Sequence, residues 1–448
     1  MKNHNLRILP SLSAPNVLRI EPSVCIKEKD IDRLCTGIDQ LARLVENGEF
    51  YSLSKHLMKG DPFIDNKGAL PEYGFLLTNI EPPAVGAKKV VFLAHFAYPI
   101  EEFRMFSKDI TQASDTGIRQ LFAKFESIMD MEPFILGSKN IYNGKIHLTT
   151  ILLPLDSSEL EKLHKTNKRE KVIRNIQKGV DLAAKNGAKV VSLGGYASII
   201  TNNGKAILEP ENVKVVTGNT LTAVVGYHKF KNKIKTLFHR KNDLTIGVVG
   251  ATGNIGKILT RKLVDDDAIS MKSLWLVGRS NTKLNLIKDE LPENSLKRNI
   301  KLNCSTDLKD LKRCDAIIVA VNTNDPIIYP IHIKENLPVL IADLSIPGGV
   351  AEELQGNDQV HILPFAASIK LMEDEDYLIT SCSPRGTALC CTAEAFLNAF
   401  ENTNVNLRGD ITYQGFNIID ALARKYGFIQ HIDNLRTYKS TISHELSV

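Results

Sequence analysis

The chain has 448 residues, 43% hydrophobic and 24% charged, a length about three times the usual ~150-residue domain and a composition that argues against disordered or fibrous classes. A net charge of +5 is small for this size and gives no sign of a nucleic-acid partner. Seven cysteines without a Cys-x-x-Cys pair fit neither a disulfide framework nor a zinc site, so a reducing compartment and no metal are expected.

In chain order, residues 1–88 form an N-terminal extension of unknown role, with one amphipathic helix over Ile31–Val45. Pro10 and Pro15 interrupt a stretch without the apolar run of a signal peptide. No segment approaches the ~20 apolar residues of a membrane span, and a cytoplasmic location is expected. Residues 89–240 read as an α/β substrate lobe. Val90–Ala94 is a strand closed by His95, a candidate acid or base; Glu101–Ile110 and Val172–Asn186 are helices; Lys189–Leu193 is a second strand. Gly194 and Gly195 at its end would let backbone approach a ligand, beside Tyr196 and Ser198. Thr217, Gly218, Asn219 and Thr220 open a helix running to about Phe238, whose first N–H groups could face a cofactor or a carbonyl; an ordinary N-cap is the plainer reading. From His228 to Lys241 six lysines and arginines occur without an acid, a candidate dock for an acidic partner or simply a solvated face.

Residues 241–380 carry the clearest signal. Leu244–Gly250 is a buried parallel strand entering Gly250-Ala251-Thr252-Gly253-Asn254-Ile255-Gly256, and a helix follows over Asn254–Val264. Strand, glycine turn and helix in that order are the context that makes a dinucleotide fingerprint meaningful: the turn brings backbone to the pyrophosphate and the helix start offers free N–H groups. Ser273–Val277, Ala316–Val321 and Val339–Ala342 are further apolar strands separated by helix-length segments, so the fold class is α/β, a doubly wound parallel Rossmann sheet with a second α/β lobe. The second strand ends Val277-Gly278-Arg279-Ser280 without an acid. Arg279 and Ser280 therefore favour the extra phosphate of NADPH over NADH. Asn322, just past the strand Ala316–Val321, joins the cofactor set.

Residues 381–448 return to the substrate lobe. Thr387–Glu401 after the turn-rich Ser383-Pro384-Arg385-Gly386 reads as a helix with Cys390 and Cys391 in its first turns, where the helix dipole favours a thiolate. Leu389, Ala393, Phe396 and Phe400 make an apolar stripe, and Cys391 points away from it. A helix over Asn417–Tyr426 follows. On spacing alone, a buried structural cysteine is the commoner case.

The chain resembles the cyanobacterial long-chain fatty acyl-ACP (acyl-acyl carrier protein) reductases from about Val90 to Phe428. The likeness is carried by Phe92-Leu93-Ala94-His95, Gly144-Lys145-Ile146-His147, Leu193 to Ile200, Thr217 to Ala223, the glycine turn, Cys391-Thr392-Ala393-Glu394-Ala395 and Ile411-Thr412. The resemblance implies that Cys391 takes the acyl chain as a thioester and that NADPH reduces it to the aldehyde. It also implies an acyl carrier protein or coenzyme A thioester as substrate and, downstream, an enzyme that uses the aldehyde. Two departures stand out: residues 1–88 have no counterpart, and Pro364-Phe365-Ala366-Ala367 replaces an expected glycine pair. The competing expectations are a non-covalent dehydrogenase of shikimate or amino-acid type, with the same two-lobed plan and no need of a cysteine, and a non-catalytic NADP-binding partner.

Overall fold

The computed structural model describes residues 9–10, 18–19, 26–47, 49–55, 80–97, 99–105, 110, 113–129, 132–166, 168–291, 298–335, 337–345, 348–363, 368–370, 386–403 and 405–429. The segments 364–367 and 383–385, singled out in the sequence, lie outside them. The chain divides into two compact units, Met1–Phe75 with Pro99–Ile128, and Leu76–Tyr98 with Met129–Val448. The first contains the expected amphipathic helix, Glu28–Glu46, and the helix Pro99–Arg104, where 101–110 was expected. Among the described residues no helix is long and apolar enough to cross a membrane.

The second unit holds two sheets. Its first sheet is built from β1 (Lys88–Phe96), β2 (Phe134–Ile141), β3 (Ile146–Asp156), β4 (Val190–Leu193) and β5 (Lys214–Val216), in the order β2-β3-β1-β4-β5. Only β2 is antiparallel to its neighbour. Helices α1 (Ser157–Lys165), α2 (Glu170–Lys185) and the short α3 (Tyr196–Ile200) connect these strands. Asp156 caps α1 by accepting from the Glu159 N–H at 2.7 Å, and α2 buries Val172, Ile176, Val180 and Ala183 at helical spacing.

Helix α4 (Asn219–Leu237) leads into the second sheet. There β6 (Leu244–Val249), β7 (Met271–Val277), β8 (Lys301–Ser305), β9 (Ala316–Val319), β10 (Val339–Asp343) and β11 (Val360–Leu363) lie in the order β8-β7-β6-β9-β10-β11. All neighbours are parallel, which is the doubly wound order expected of a Rossmann sheet. Strand β6 is buried at every position, so its uninterrupted apolar run reflects cover on both faces. Helices α5 (Asn254–Asp265) and α6 (Asn281–Asp289) connect its first strands. Beyond β8 the described connections contain short 3-10 turns, Leu308–Arg313 and Pro330–His332, where helix-length segments were read. Helix α4 packs on β10, and Gly226 lies so close that an added Cβ would be 2.5 Å from Leu344.

Helix-forming residues of the C-terminal segment contact the first sheet. Thr387–Leu389 is not the start of the helix but a strand, β13, antiparallel to β12 (Ser368–Lys370). Helix α7 (Cys390–Glu401) therefore begins at Cys390, and Leu389 is its N-cap rather than part of an apolar stripe. The helix is buried along nearly all its length, packed between α4 and strands β1, β4 and β5. Tyr142 packs edge-on against Phe396 and Phe400. The last helix, α8 (Tyr413–Lys425), begins before the expected Asn417.

Candidate active site

At the glycine turn, Gly250 has φ +80°, and a Cβ there would fall 2.2 Å from the Ala320 carbonyl oxygen at the end of β9. Gly256 is equally tight against Gly250. Gly253 is the N-cap of α5 and has no side chain to engage the helix's first N–H groups. A cradle of bare backbone beside an uncapped helix start fits a pyrophosphate. Thr252 and Ile255 are partly exposed there, and Arg279 and Asn322 are exposed past β7 and β9. The Ser280 hydroxyl accepts from the Lys283 N–H at 3.4 Å and so caps α6.

Asn254 does something the spacing did not suggest. Its amide donates to the Gly409 carbonyl at 2.8 Å and its Oδ1 accepts from the Ile411 N–H at 2.7 Å. The same strap, residues 405–411, reaches the first lobe. Gly409 N–H donates to the Asn203 carbonyl at 2.7 Å, Thr217 Oγ1 to the Leu407 carbonyl at 3.0 Å, and Arg408 bonds the Ile207 carbonyl and Glu209. Asn219 donates to Ser198 Oγ and Asn203 Oδ1, each at 3.3 Å. A run of polar contacts thus joins the glycine turn to the start of α4.

That start is where Cys391 sits. A Cβ on Gly218 would overlap Cys391, 2.0 Å from its Cα. The Cys391 carbonyl accepts a short hydrogen bond from Ser192 Oγ at the end of β4. Cys391 is half-buried as a residue, next to the exposed Gly195, and the backbone N–H groups of Gly195, Cys391 and Thr392 are directed at its sulfur. Leu389 offers α7 no side-chain cap, so these first-turn donors face the sulfur. The dipole nevertheless does not produce a thiolate. Burial outweighs the donors and pushes the thiol up to about 11, and burial also raises the thiol of Cys390 well above its usual value. Alkylation of Cys391 by iodoacetamide should therefore be slow at pH 7 and rise about tenfold per pH unit up to pH 9, read by peptide mass. A pH-independent rate over that range would contradict this environment.

The N–H groups at the start of α4, considered above as donors to a ligand, are already occupied. Glu394, fully buried one turn beyond Cys391, accepts from Gly218 N–H and Leu221 N–H at 2.8 Å each and also from Thr220. Burial raises its carboxyl to about 7 against the pull of these donors. Thr217 and Thr220 are buried too. Sequence reasoning missed Glu394; a lone acid inside the apolar stretch Leu389–Leu397 was its only signal.

His95 is held by backbone on both sides. The Tyr196 N–H donates to Nε2 at 3.0 Å, which leaves the ring proton on Nδ1, 3.2 Å from the Phe96 carbonyl. Burial keeps the imidazole below its usual range. The ring thereby fixes the Gly194-Gly195-Tyr196 turn. Tyr196 and Ser198 are themselves buried, and the Tyr196 hydroxyl has no hydrogen-bond partner among the described residues.

The basic row on α4 is mostly not a free surface. Lys229 is buried and donates to the Ser368 carbonyl at 2.9 Å, Lys231 pairs with Asp266, His228 with Asp420 at 2.7 Å and Lys241 with Asp315 at 2.8 Å. Lys235 and Arg240, with Lys233 partly so, remain open to solvent without an ion-pair partner among the described residues, and Lys241 is exposed but paired. Among the described residues no cluster of His, Cys, Asp or Glu could hold a metal.

Comparison with known proteins is consistent with this geometry. The shikimate / quinate 5-dehydrogenase family model matches residues 232–365, which covers most of the second sheet. The long-chain acyl-[acyl-carrier-protein] reductase of Synechococcus elongatus is 28% identical over 272 residues, 57% of this chain and 75% of that one. Fold and relatives together indicate an NAD(P)-dependent oxidoreductase. The aminotransferase PigE of a Serratia species is 24% identical over 267 residues, but the match spans only 30% of PigE. Among solved structures, L-tryptophan dehydrogenase from Nostoc punctiforme aligns over 89% of this chain and 95% of its own at 12% identity, with a TM-score of 0.35.

Proposed function

We propose that the chain reduces a fatty acyl thioester, presented on acyl carrier protein or coenzyme A, to the aldehyde with NADPH, and that Cys391 takes the acyl group. The observation that carries this reading is Cys391 at the uncapped start of α7, beside the exposed Gly195 whose N–H is aimed at its sulfur. The 28% identity to an acyl-[acyl-carrier-protein] reductase supports the substrate class. In this scheme residues 89–240 form the acyl-binding lobe, 241–380 the cofactor lobe and 381–448 carry the nucleophile.

Attack of the Cys391 sulfur on the thioester carbon forms a new thioester, and the thiol proton passes to the departing carrier thiol, so the exchange needs no net proton. The attacking species is the thiolate, so a thiol raised to about 11 makes this exchange slow at neutral pH and faster as pH rises. Gly195 N–H, with the first-turn N–H groups of α7, provides donors for the oxyanion; one such donor is worth ~10²–10³ in rate elsewhere. The backbone of Gly250, Gly253 and Gly256 with Thr252 would hold the pyrophosphate, and Arg279 the ribose phosphate; when bound, the reduced nicotinamide supplies hydride. Glu394 and Gly218 fix the start of α4 against Cys391.

His95 acts here by holding Gly195 and Tyr196 rather than by transferring protons. Its replacement by phenylalanine is expected to lower kcat about tenfold, leave the KM for NADPH unchanged and leave the shape of the kcat–pH profile intact. Loss of one limb of that profile would instead make it an acid or base.

A second reading, hydride transfer without a covalent intermediate, is favoured by the shikimate / quinate 5-dehydrogenase match. Incubating the protein with NADPH and a panel of acyl thioesters, with products identified by mass, separates the two. Aldehyde formation supports the proposal, and NADPH consumption only with keto or imino acids overturns it.

A further inference from the structure

Helix α1 belongs to the first lobe, yet its first turns are bonded to a loop of the Rossmann sheet. Asn324, in the loop after β9, donates to the Ser157 carbonyl at 3.2 Å and to Glu161 Oε2 at 2.6 Å. This ties the first turns of α1 to the loop after β9. His164, near the other end of α1, is within electrostatic reach of Arg279, past the end of β7, and of Arg169, the residue before α2. Burial, then the two arginines, holds its imidazole below the usual range.

The charges there are unbalanced. Nearby acids already have cationic partners: Glu161 pairs with Lys165 at 2.7 Å, Glu159 with Lys162 at 3.7 Å and Glu170 with Arg174 at 3.9 Å. Among the described residues neither Arg169 nor Arg279 has a carboxylate partner, and the His164 Nδ1 is buried without a hydrogen-bond partner. Two uncompensated guanidinium groups around a buried, unsatisfied imidazole nitrogen are donors waiting for a multivalent oxyanion.

We infer that His164 and Arg169 of the first lobe complete, with Arg279 of the second, a ribose phosphomonoester site that clamps the 2′-phosphate of NADPH between the lobes. The inference rests on reading the second sheet as the NADPH lobe. It adds two residues outside the dinucleotide fold to cofactor choice, and it makes binding of the phosphate a contact that spans both lobes.

The 3′-phosphate of coenzyme A has the same chemistry, so the test must separate the two. Isothermal titration of the full chain with NADPH, NADH, adenosine 2′,5′-bisphosphate and adenosine 3′,5′-bisphosphate does so. The wild type should prefer NADPH and the 2′,5′-bisphosphate. His164→Gln and Arg169→Gln should each weaken both of these by about tenfold, the size expected for one lost charge-assisted hydrogen bond, while NADH binding stays within about twofold and serves as the check on folding. If Arg279→Gln loses the preference for NADPH but neither first-lobe variant does, the clamp is wrong and the NADPH reading stands. A wild type indifferent between NADPH and NADH sinks both. Equal losses for NADH and NADPH in the first-lobe variants would make these residues structural, and tighter binding of the 3′,5′-bisphosphate would assign the site to a coenzyme A-type ligand; either overturns the clamp.

Discussion

Replacing Cys391 with alanine is expected to reduce aldehyde formation from acyl thioesters by at least about a thousandfold while leaving NADPH affinity unchanged. The size follows from removing the atom that forms the covalent intermediate, which leaves only binding and oxyanion donors to assist a direct reaction. The change removes one atom and leaves the hydrogen bond from Ser192 to the backbone carbonyl at this position in place. Cys390→Ala is the matched control. Cys390 is buried among the residues of the core that joins α4, α7 and the second sheet, so its loss should lower stability by about 1 kcal/mol and spare the rate. Full turnover in Cys391→Ala would favour hydride transfer without a covalent step.

Gly218→Ala should have the largest effect of any single methyl group near the site. The residue has φ +72°, and its Cβ would lie 2.0 Å from the Cys391 Cα and 2.8 Å from the Cys391 nitrogen. Both are backbone atoms at the start of a buried helix, so neither can rotate away. The left-handed conformation and the overlap together should cost about 3 kcal/mol or more. Any folded fraction must move the start of α4 away from Cys391 and break the Glu394 contacts. Gly86→Ala separates the two contributions, because Gly86 has φ +79° but nothing within 4 Å of an added Cβ; about 1 kcal/mol is expected there. Denaturant unfolding of both variants reads the difference, and equal losses would mean that the Gly218–Cys391 contact is not tight.

How much of this was legible in the chain depends on whether the partners are near in sequence. The strand Leu244–Val249 and the helix from Asn254 follow directly from a run buried on both faces and a glycine turn, and both lie where expected. Thr387–Leu389 did not read as a strand because a three-residue segment has no period, and its pairing partner Ser368–Lys370 gives no local sign. The cations of α4 read as a solvated or docking face because no acid stands beside them. Their partners Asp266, Asp315 and Asp420 arrive from distant segments. Glu394 is the clearest case: its role is defined by the N–H groups of Gly218 and Leu221, more than 170 residues earlier, and no spacing rule within Cys391-Thr392-Ala393-Glu394-Ala395 contains that. The dipole argument for a Cys391 thiolate failed for a related reason, since the burial that outweighs it comes from packing against another element.

The most direct measurement is the intact mass of the protein after incubation with an acyl thioester in the absence of NADPH, followed by peptide mapping. A mass increase equal to the acyl group, located on Cys391, absent in Cys391→Ala and discharged as aldehyde when NADPH is added, is the expected result. An unmodified protein that nevertheless forms aldehyde, or an adduct that persists in Cys391→Ala, would contradict a covalent role for this sulfur.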